Sequence, residues 1–289
     1  MKGWLVTNGF LKSDKFNGLY EFFQNSAREL NIHLQQVSSD SLLCEATDGF
    51  SNFARPDFVL FWDKDVLLAK RLENAGFRLF NSARAVEICD NKALTALHLA
   101  NVVPMPKTVY SPKTFEGVGY TNLDFVHRAV EIVGLPVVVK EVYGSFGRQV
   151  YLAKTVDELE SIVSRLVGKD FLLQQFVAES AGKDIRVNVV GTQAVNAIYR
   201  SSVNGDFRSN VTLGGRAEPH VLTPWQKALA EKACEAVGLD FAGVDILLGN
   251  DGPVLCEINS NMHFKSTFDV TGVDLSKNIL QWIVKQLGN

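Results

Sequence analysis

Residues 242–259, AGVDILLGNDGPVLCEIN, constrain the fold most. Two apolar runs flank an Asn-Asp-Gly turn, a strong short-range signal for a β-hairpin. Side chains alternate with period two along a strand. Val244, Ile246 and Leu248 are therefore expected on one face with Val254, Cys256 and Ile258, and Asp245 on the other with Leu255, Glu257 and Asn259. A three-residue turn centred on Asp251 sets Asp245 directly opposite Glu257. Like charges facing across a ladder repel, by about 3 kcal/mol at ~5 Å and an effective dielectric near 20. Two readings stay open. A divalent cation would offset the repulsion, because two carboxylates and an amide are hard oxygen ligands of the kind Mg²⁺ takes beside nucleotide phosphates, and too sparse for a calcium cage. Alternatively the polar face meets water, which screens the pair.

The rest of the chain divides by pattern. Over residues 1–90, GWLVTNG, IHLQQVS, FVLFW and FRLFN read as strands. They alternate with the helical segments NGLYEFFQNSARELN and DVLLAKRLENAG, the second ending at Gly76 as a C-terminal cap. Strands alternating with helices predict a small parallel α/β domain. Residues 91–289 mix hairpins with helices and predict an α+β domain with antiparallel sheets, in two subdomains of about 91–178 and 179–289. IRVNVVG and QAVNAIYRSS form a hairpin across Gly191 and Thr192, and Pro224 suits the first turn of the helix PWQKALAEKACEAVG.

At 289 residues with 46% apolar and 21% charged, the chain is long enough to bury a large core. A net charge of −3 and the lack of a basic–aromatic stripe argue against nucleic acid and acidic lipid as partners. Cys44, Cys89, Cys234 and Cys256 form no C-x-x-C pair, and Cys256 reads as a small buried hydrophobe. No run is long and apolar enough for a membrane span, and MKGWLVTNGF is not a signal peptide, so a cytoplasmic protein with reduced thiols and no membrane partner is expected.

A second polar cluster lies in LPVVVKEVYGSFGRQVYL. Lys140 ends an apolar strand, and Gly144, Ser145 and Gly147 belong to the loop after it. Free backbone N–H groups in such a loop can lie over phosphates; a plain glycine turn between strands is the other reading. The loop is neither a P-loop nor a dinucleotide fingerprint. Arg200, Arg208 and Arg216 stand in or beside YRSSVNGDFRSNVTLGG, either as an anion-binding segment or as a solvated loop. No G-x-S-x-G, catalytic-cysteine or H-E-x-x-H signature is present.

The order DNK, PVVVK, GKDIR, NGDFRSN with a following GG, AGVDIL and EIN resembles the ATP-grasp superfamily, and in detail the RimK-like carboxylate–amine (alpha-L-glutamate) ligases. The match spans about residues 90–275; the first 90 resemble more loosely the small domain that precedes ATP-grasp folds. The resemblance implies ATP and two Mg²⁺ ions, replaceable by Mn²⁺, with Asp245, Glu257 and Asn259 as metal ligands. It implies that Lys92, Lys140, Gly144, Ser145 and Gly147 contact the nucleotide phosphates, that Gln175, Phe176 and Val177 form the adenine hinge, and that Asp184 binds nucleotide. Arg208, Ser209 and Asn210 would stand at the phosphate and metal site, with Arg200 and Arg208 catalytic. The implied reaction joins an amino acid such as glutamate to a peptide, protein or small-molecule carboxylate through an acyl phosphate. Ligation of free amino acids, peptide cross-linking and a non-catalytic nucleotide-binding module are the alternatives, and a homo-oligomer is compatible with each. Four positions depart from the family pattern: Gln175 for Glu, Ser201 for a second Arg, Gln149 for Gly, and SNMHF after EIN, which places His263 and Phe264 near the acceptor or, for His263, in the packed core.

Overall fold

Strands β1 (Lys2–Thr7), β2 (His33–Ser38), β3 (Phe58–Trp62) and β4 (Leu79–Phe80) form a parallel sheet in the order β2-β1-β3-β4. The structure is a computed structural model that describes residues 1–43, 45–47, 49–145, 147–209 and 214–288. Helices α1 (Asp14–Glu29), α2 (Val66–Asn74) and α3 (Ala83–Asp90) belong to the same region. Every residue of β3 is buried, as expected of a parallel strand covered on both faces. On one face Val59 and Phe61 pack with Leu68 and Leu72 of α2. On the other, Leu5 and Leu60 pack with Leu19 and Phe23 of α1 and with Ile279 and Ile283 of α9 (Leu275–Gly288). The last helix of the chain thus helps to cover the first sheet. The Asp65 carboxylate caps α2 by accepting from Leu68 N–H, and Gly76 follows the helix at φ +82°.

Helix α4 (Lys92–Leu99) leads into a second sheet of β5 (Thr108–Tyr110), β6 (Val137–Glu141), β7 (Val150–Ala153) and β8 (Phe171–Gln175), antiparallel in the order β5-β8-β6-β7. Helices α5 (Asp124–Val133) and α6 (Val156–Ser164) cover one face, through Val126, Ala129, Leu159 and Val163.

The third sheet is antiparallel: β9 (Lys183–Val190), β10 (Gln193–Ser201), β11 (Arg216–Pro219), β12 (Phe241–Gly249) and β13 (Gly252–Asn259), ordered β11-β10-β9-β12-β13. Gly191 and Thr192 make the β9–β10 turn. Helix α7 (Pro224–Val237) carries Pro at its start and a Thr223/Gln226 capping box. Its Leu229, Ala230 and Ala233 pack on Val187, Val244 and Ile246 of the sheet's apolar face. Helix α8 (Lys265–Thr271) follows β13. The polar face of this sheet turns towards the second sheet and makes one wall of a cleft.

Asp245 pairs with Glu257 as expected, but by a different route. The tip is a two-residue turn, with Gly249 opposite Gly252, and Ile246 pairs with Leu255. Cys256 is left without an opposite residue, a bulge that shifts the register by one before Glu257. The expected faces of three residues, Val254, Leu255 and Cys256, are therefore exchanged, and Val254 lies opposite Leu247. Leu255 is fully buried in the core with Ile246 and Ile258, and Cys256 lines the cleft.

Candidate active site

The cleft measures about 930 Å³ and has three walls. Lys140 of β6 and Gln174–Val177 at the end of β8 form one; Asp184, Arg186, Arg200, Asp245, Glu257 and Asn259 from the third sheet form the second. Asn8, Tyr20, Trp62 and Asp63, at and beside the strand ends of the first sheet, form the third.

Alternation puts polar side chains of β9, β10, β12 and β13 on one face, and cross-strand register makes them neighbours. Arg200 lies opposite Asp184, and Arg186 opposite Asp245. Arg200 donates from Nε to Asp184 Oδ1 at 2.6 Å and from Nη2 to Asp184 Oδ2, and its Nη2 also lies 2.9 Å from Asp245 Oδ1. Arg186 forks onto Asp245, through Nε to Oδ1 and through Nη2 to Oδ2 at 2.8 Å. Burial works against the charge on Asp245, but the Arg186 and Arg200 guanidiniums outweigh it and hold the carboxyl below its usual range. Burial likewise opposes the charge of Arg200, and Asp245 and Asp184 overcome it. The Asp245–Glu257 repulsion is thus relieved first by arginines, which the hairpin alone did not reveal. Of the three carboxylates Asp184, Asp245 and Glu257, only Glu257 has no ion pair among the described residues.

The other expected site residues are distributed as follows. Lys140 is 7% exposed, and its Nζ lies 3.7 Å from Cys256 Sγ, whose thiol burial pushes up to about 11. Lys92, first in α4, gives its ammonium to Gly144 O at 3.0 Å. Burial lowers its pKa, and the nearby Glu257 charge opposes that shift. Gly144 adopts φ +153°, and a Cβ there would meet the Gln149 side chain at 2.6 Å, so Gln149 packs into the loop. Ser145 and Gly147 line the cleft, with Lys64 Nζ 3.2 Å from Ser145 Oγ and Arg208 Nη1 2.6 Å from Gly147 O. Arg208 also pairs with Asp206 at 2.7 Å. Gln175, Phe176 and Val177 line the cleft; Gln175 N–H donates to Lys107 O, and the Phe176 ring meets Phe207 edge-on. Ser209 is buried on the same cleft, and Asn210 lies outside the described residues.

Arg216 is exposed on edge strand β11, away from the cleft. His263 is not a packed core residue: it lines the cleft, half-buried, edge-on to Phe16, while Phe264 is fully buried against Phe23 and Trp62. Arg186, Lys64 and Asp63 were missed. Arg186 had a legible signal, as the period-two neighbour of Asp184 in GKDIR.

Asp245, Glu257 and Asn259 supply two carboxylates and an amide from neighbouring positions of one hairpin face. Glu257 has no ion pair and the Asn259 amide no hydrogen bond among the described residues, so this hard-oxygen donor set fits a divalent cation. Asp245 would join it by giving up one of its arginine bonds.

A family model described as RimK-like ATP-grasp domain matches residues 101–283, more than half of the chain. The MG012 homolog of Mycoplasma pneumoniae is 33% identical, over 84% of this chain and 85% of its own. N-acetylaspartylglutamate synthase A of Homo sapiens is 36% identical over 78% of this chain, and a probable alpha-L-glutamate ligase of Parasynechococcus marenigrum is 34% identical over 76%. The chain spans only 57% and 46% of the length of those two proteins. Among solved structures, a RimK domain ATP-grasp protein of Sphaerobacter thermophilus shares the fold at TM-score 0.74 and 21% identity, covering 98% of this chain and 99% of that one. The ATP-grasp ligase PsnB, solved with a precursor variant, Mg and ADP, does so at TM-score 0.73 and 19% identity, covering 98% of both chains. The α/β chain with its parallel first sheet and two antiparallel sheets belongs to the RimK-like ATP-grasp family.

Proposed function

We propose that the protein is an ATP-dependent carboxylate–amine ligase that joins an amino acid such as glutamate to a peptide or protein carboxylate through an acyl phosphate. One observation carries this reading: Glu257, without an ion pair, shares a cleft with buried Lys140 and with the Arg186–Asp245–Arg200–Asp184 array. Acidic ligands for a cation and basic groups for phosphates meet there in one cleft. The relatives named for glutamate ligation support the substrate class.

Lys140 and Lys92 neutralise phosphate charge. Arg200 stabilises the reacting carboxylate and, with Arg208 and Ser209, the oxyanion that forms as the amine attacks. Gln175, Phe176 and Val177 hold the adenine. The Gly144–Gly147 loop closes over the reacting groups and limits hydrolysis of the acyl phosphate. Asp245, Glu257 and Asn259 would hold magnesium, as two ions replaceable by manganese, and the metal would supply positive charge at the polyphosphate. The protein contributes positioning and charge rather than a covalent nucleophile.

Glu257→Gln is expected to keep the fold and lose amine-dependent ADP release. Turnover like wild type would sink the metal assignment. Lys140→Ala is expected to weaken ATP binding at least tenfold by calorimetry, about 1.4 kcal/mol or more.

A further inference from the structure

Asp63 follows β3 on the third wall of the cleft and is 5% exposed. Its Oδ1 accepts from the Lys64 backbone N–H at 2.6 Å and from Asn8 Nδ2 at 3.3 Å. Its Oδ2 is buried and accepts nothing among the described residues. No cation pairs with it there: the adjacent Lys64 gives its ammonium to Asp90 at 2.6 Å and to Ser145. A second buried acceptor without a donor among the described residues, Asn261 Oδ1, belongs to a side chain in contact with Asp63: Asn261 Nδ2 donates to the Asp63 main-chain carbonyl at 2.7 Å. Asn261 lines the same cleft.

Buried carboxylates are ordinarily paired, and a buried acceptor without a donor is destabilising. Two such acceptors on contacting residues favour a group that only donates. A primary ammonium offers three donors, no acceptor and a positive charge. A carboxylate or phosphate would be repelled. Lys64 cannot serve while it bridges Asp90 and the glycine loop.

We propose that Asp63 and Asn261 form a subsite for a primary ammonium group of the substrate; that this group belongs to an amino acid rests on the ligase reading. Both oxygens are closed to bulk water, so a ligand reaches them only as the side chains around this corner of the cleft part. The ammonium comes either from the amino-acid acceptor or from a free amine on the carboxylate-bearing partner.

The test titrates protein saturated with Mg-AMPPNP by calorimetry with two ligand pairs, L-glutamate against glutarate and L-aspartate against N-acetyl-L-aspartate. In at least one pair the amine-bearing member binds wild type about tenfold tighter or more. The pair that responds identifies the source of the ammonium. Asp63→Asn reduces that preference below about threefold and leaves AMPPNP affinity unchanged. Equal binding within both pairs in wild type, or a preference that survives in Asp63→Asn, overturns the subsite. So does a lowered Tm with the preference intact, which marks a purely structural Asp63. If Asp63→Asn does not fold, Asn261→Ala takes its place with the same readout. ADP release separates the two readings: its absence with every amine, beside an intact preference, sinks the ligase and spares the subsite. Release by Asp63→Asn with wild-type KM for both the amine and the carboxylate-bearing partner does the reverse.

Discussion

The first and third sheets solve the same packing problem differently. The parallel sheet is covered on both faces, so β3 buries all five residues and contributes to the cleft only near its end, through Trp62 and the following Asp63 and Lys64. The antiparallel sheet buries one face under α7 and gives part of the other, the polar stretch from Asp184 to Glu257 across four strands, to the cleft, while α8 covers Asn188 and Asn196. Where a sheet is sandwiched, only its ends are free for chemistry. Where it is half-covered, successive strands place a two-dimensional array of charges at fixed spacing.

The largest expected effect tests that array. Arg200→Ala removes the cation shared by Asp184 and Asp245 and is expected to cost about 3–5 kcal/mol in urea denaturation, because two buried carboxylates lose a partner. A silent variant would mean that water solvates these charges and that the face is not a rigid array. Next, Leu60→Ala and Phe61→Ala probe adjacent residues on opposite faces of β3. Each is expected to cost about 2–5 kcal/mol, since both are fully buried. A marked inequality would break the picture of a sheet covered equally on both sides. The matching pair on β12 contains the smallest effect. Ile246→Ala is expected to cost about 2–5 kcal/mol, and Leu247→Ala, on the cleft side, under about 1 kcal/mol. Nucleotide affinity should respond in the opposite order.

Strands and turns were legible wherever local pattern decided them. The Asn-Asp-Gly hairpin, the Gly191–Thr192 turn and the Pro224 start of α7 all stand where residue type puts them. Asp245 opposite Glu257 was legible as a pairing, but the Cys256 bulge was not, because VLCEI offers no glycine or break to mark an extra residue. The guanidinium forks on Asp245 were hidden for another reason: Arg186 stands 59 positions away, and only the strand order joins them. His263 was misjudged on composition, which cannot tell a core edge from a cleft rim. Asp63 ends an apolar strand and reads locally as a turn residue; its missing counter-charge exists only in three dimensions.

The unopposed Cys256 leaves the two halves of the hairpin out of step, and this insulates one from the other. Inserting residues in matched pairs at the Asn250–Asp251 tip would lengthen the outer arms and leave Glu257 aimed as before. Excising Cys256 alone would close the register into an unbroken ladder, with Leu255 still opposite Ile246 on the core face and Glu257 still opposite Asp245 on the cleft face. The tip is therefore the place to splice in a reporter or tether, and the bulge the position in β13 where the chain can lose one residue without turning Leu255 or Glu257 to the other side.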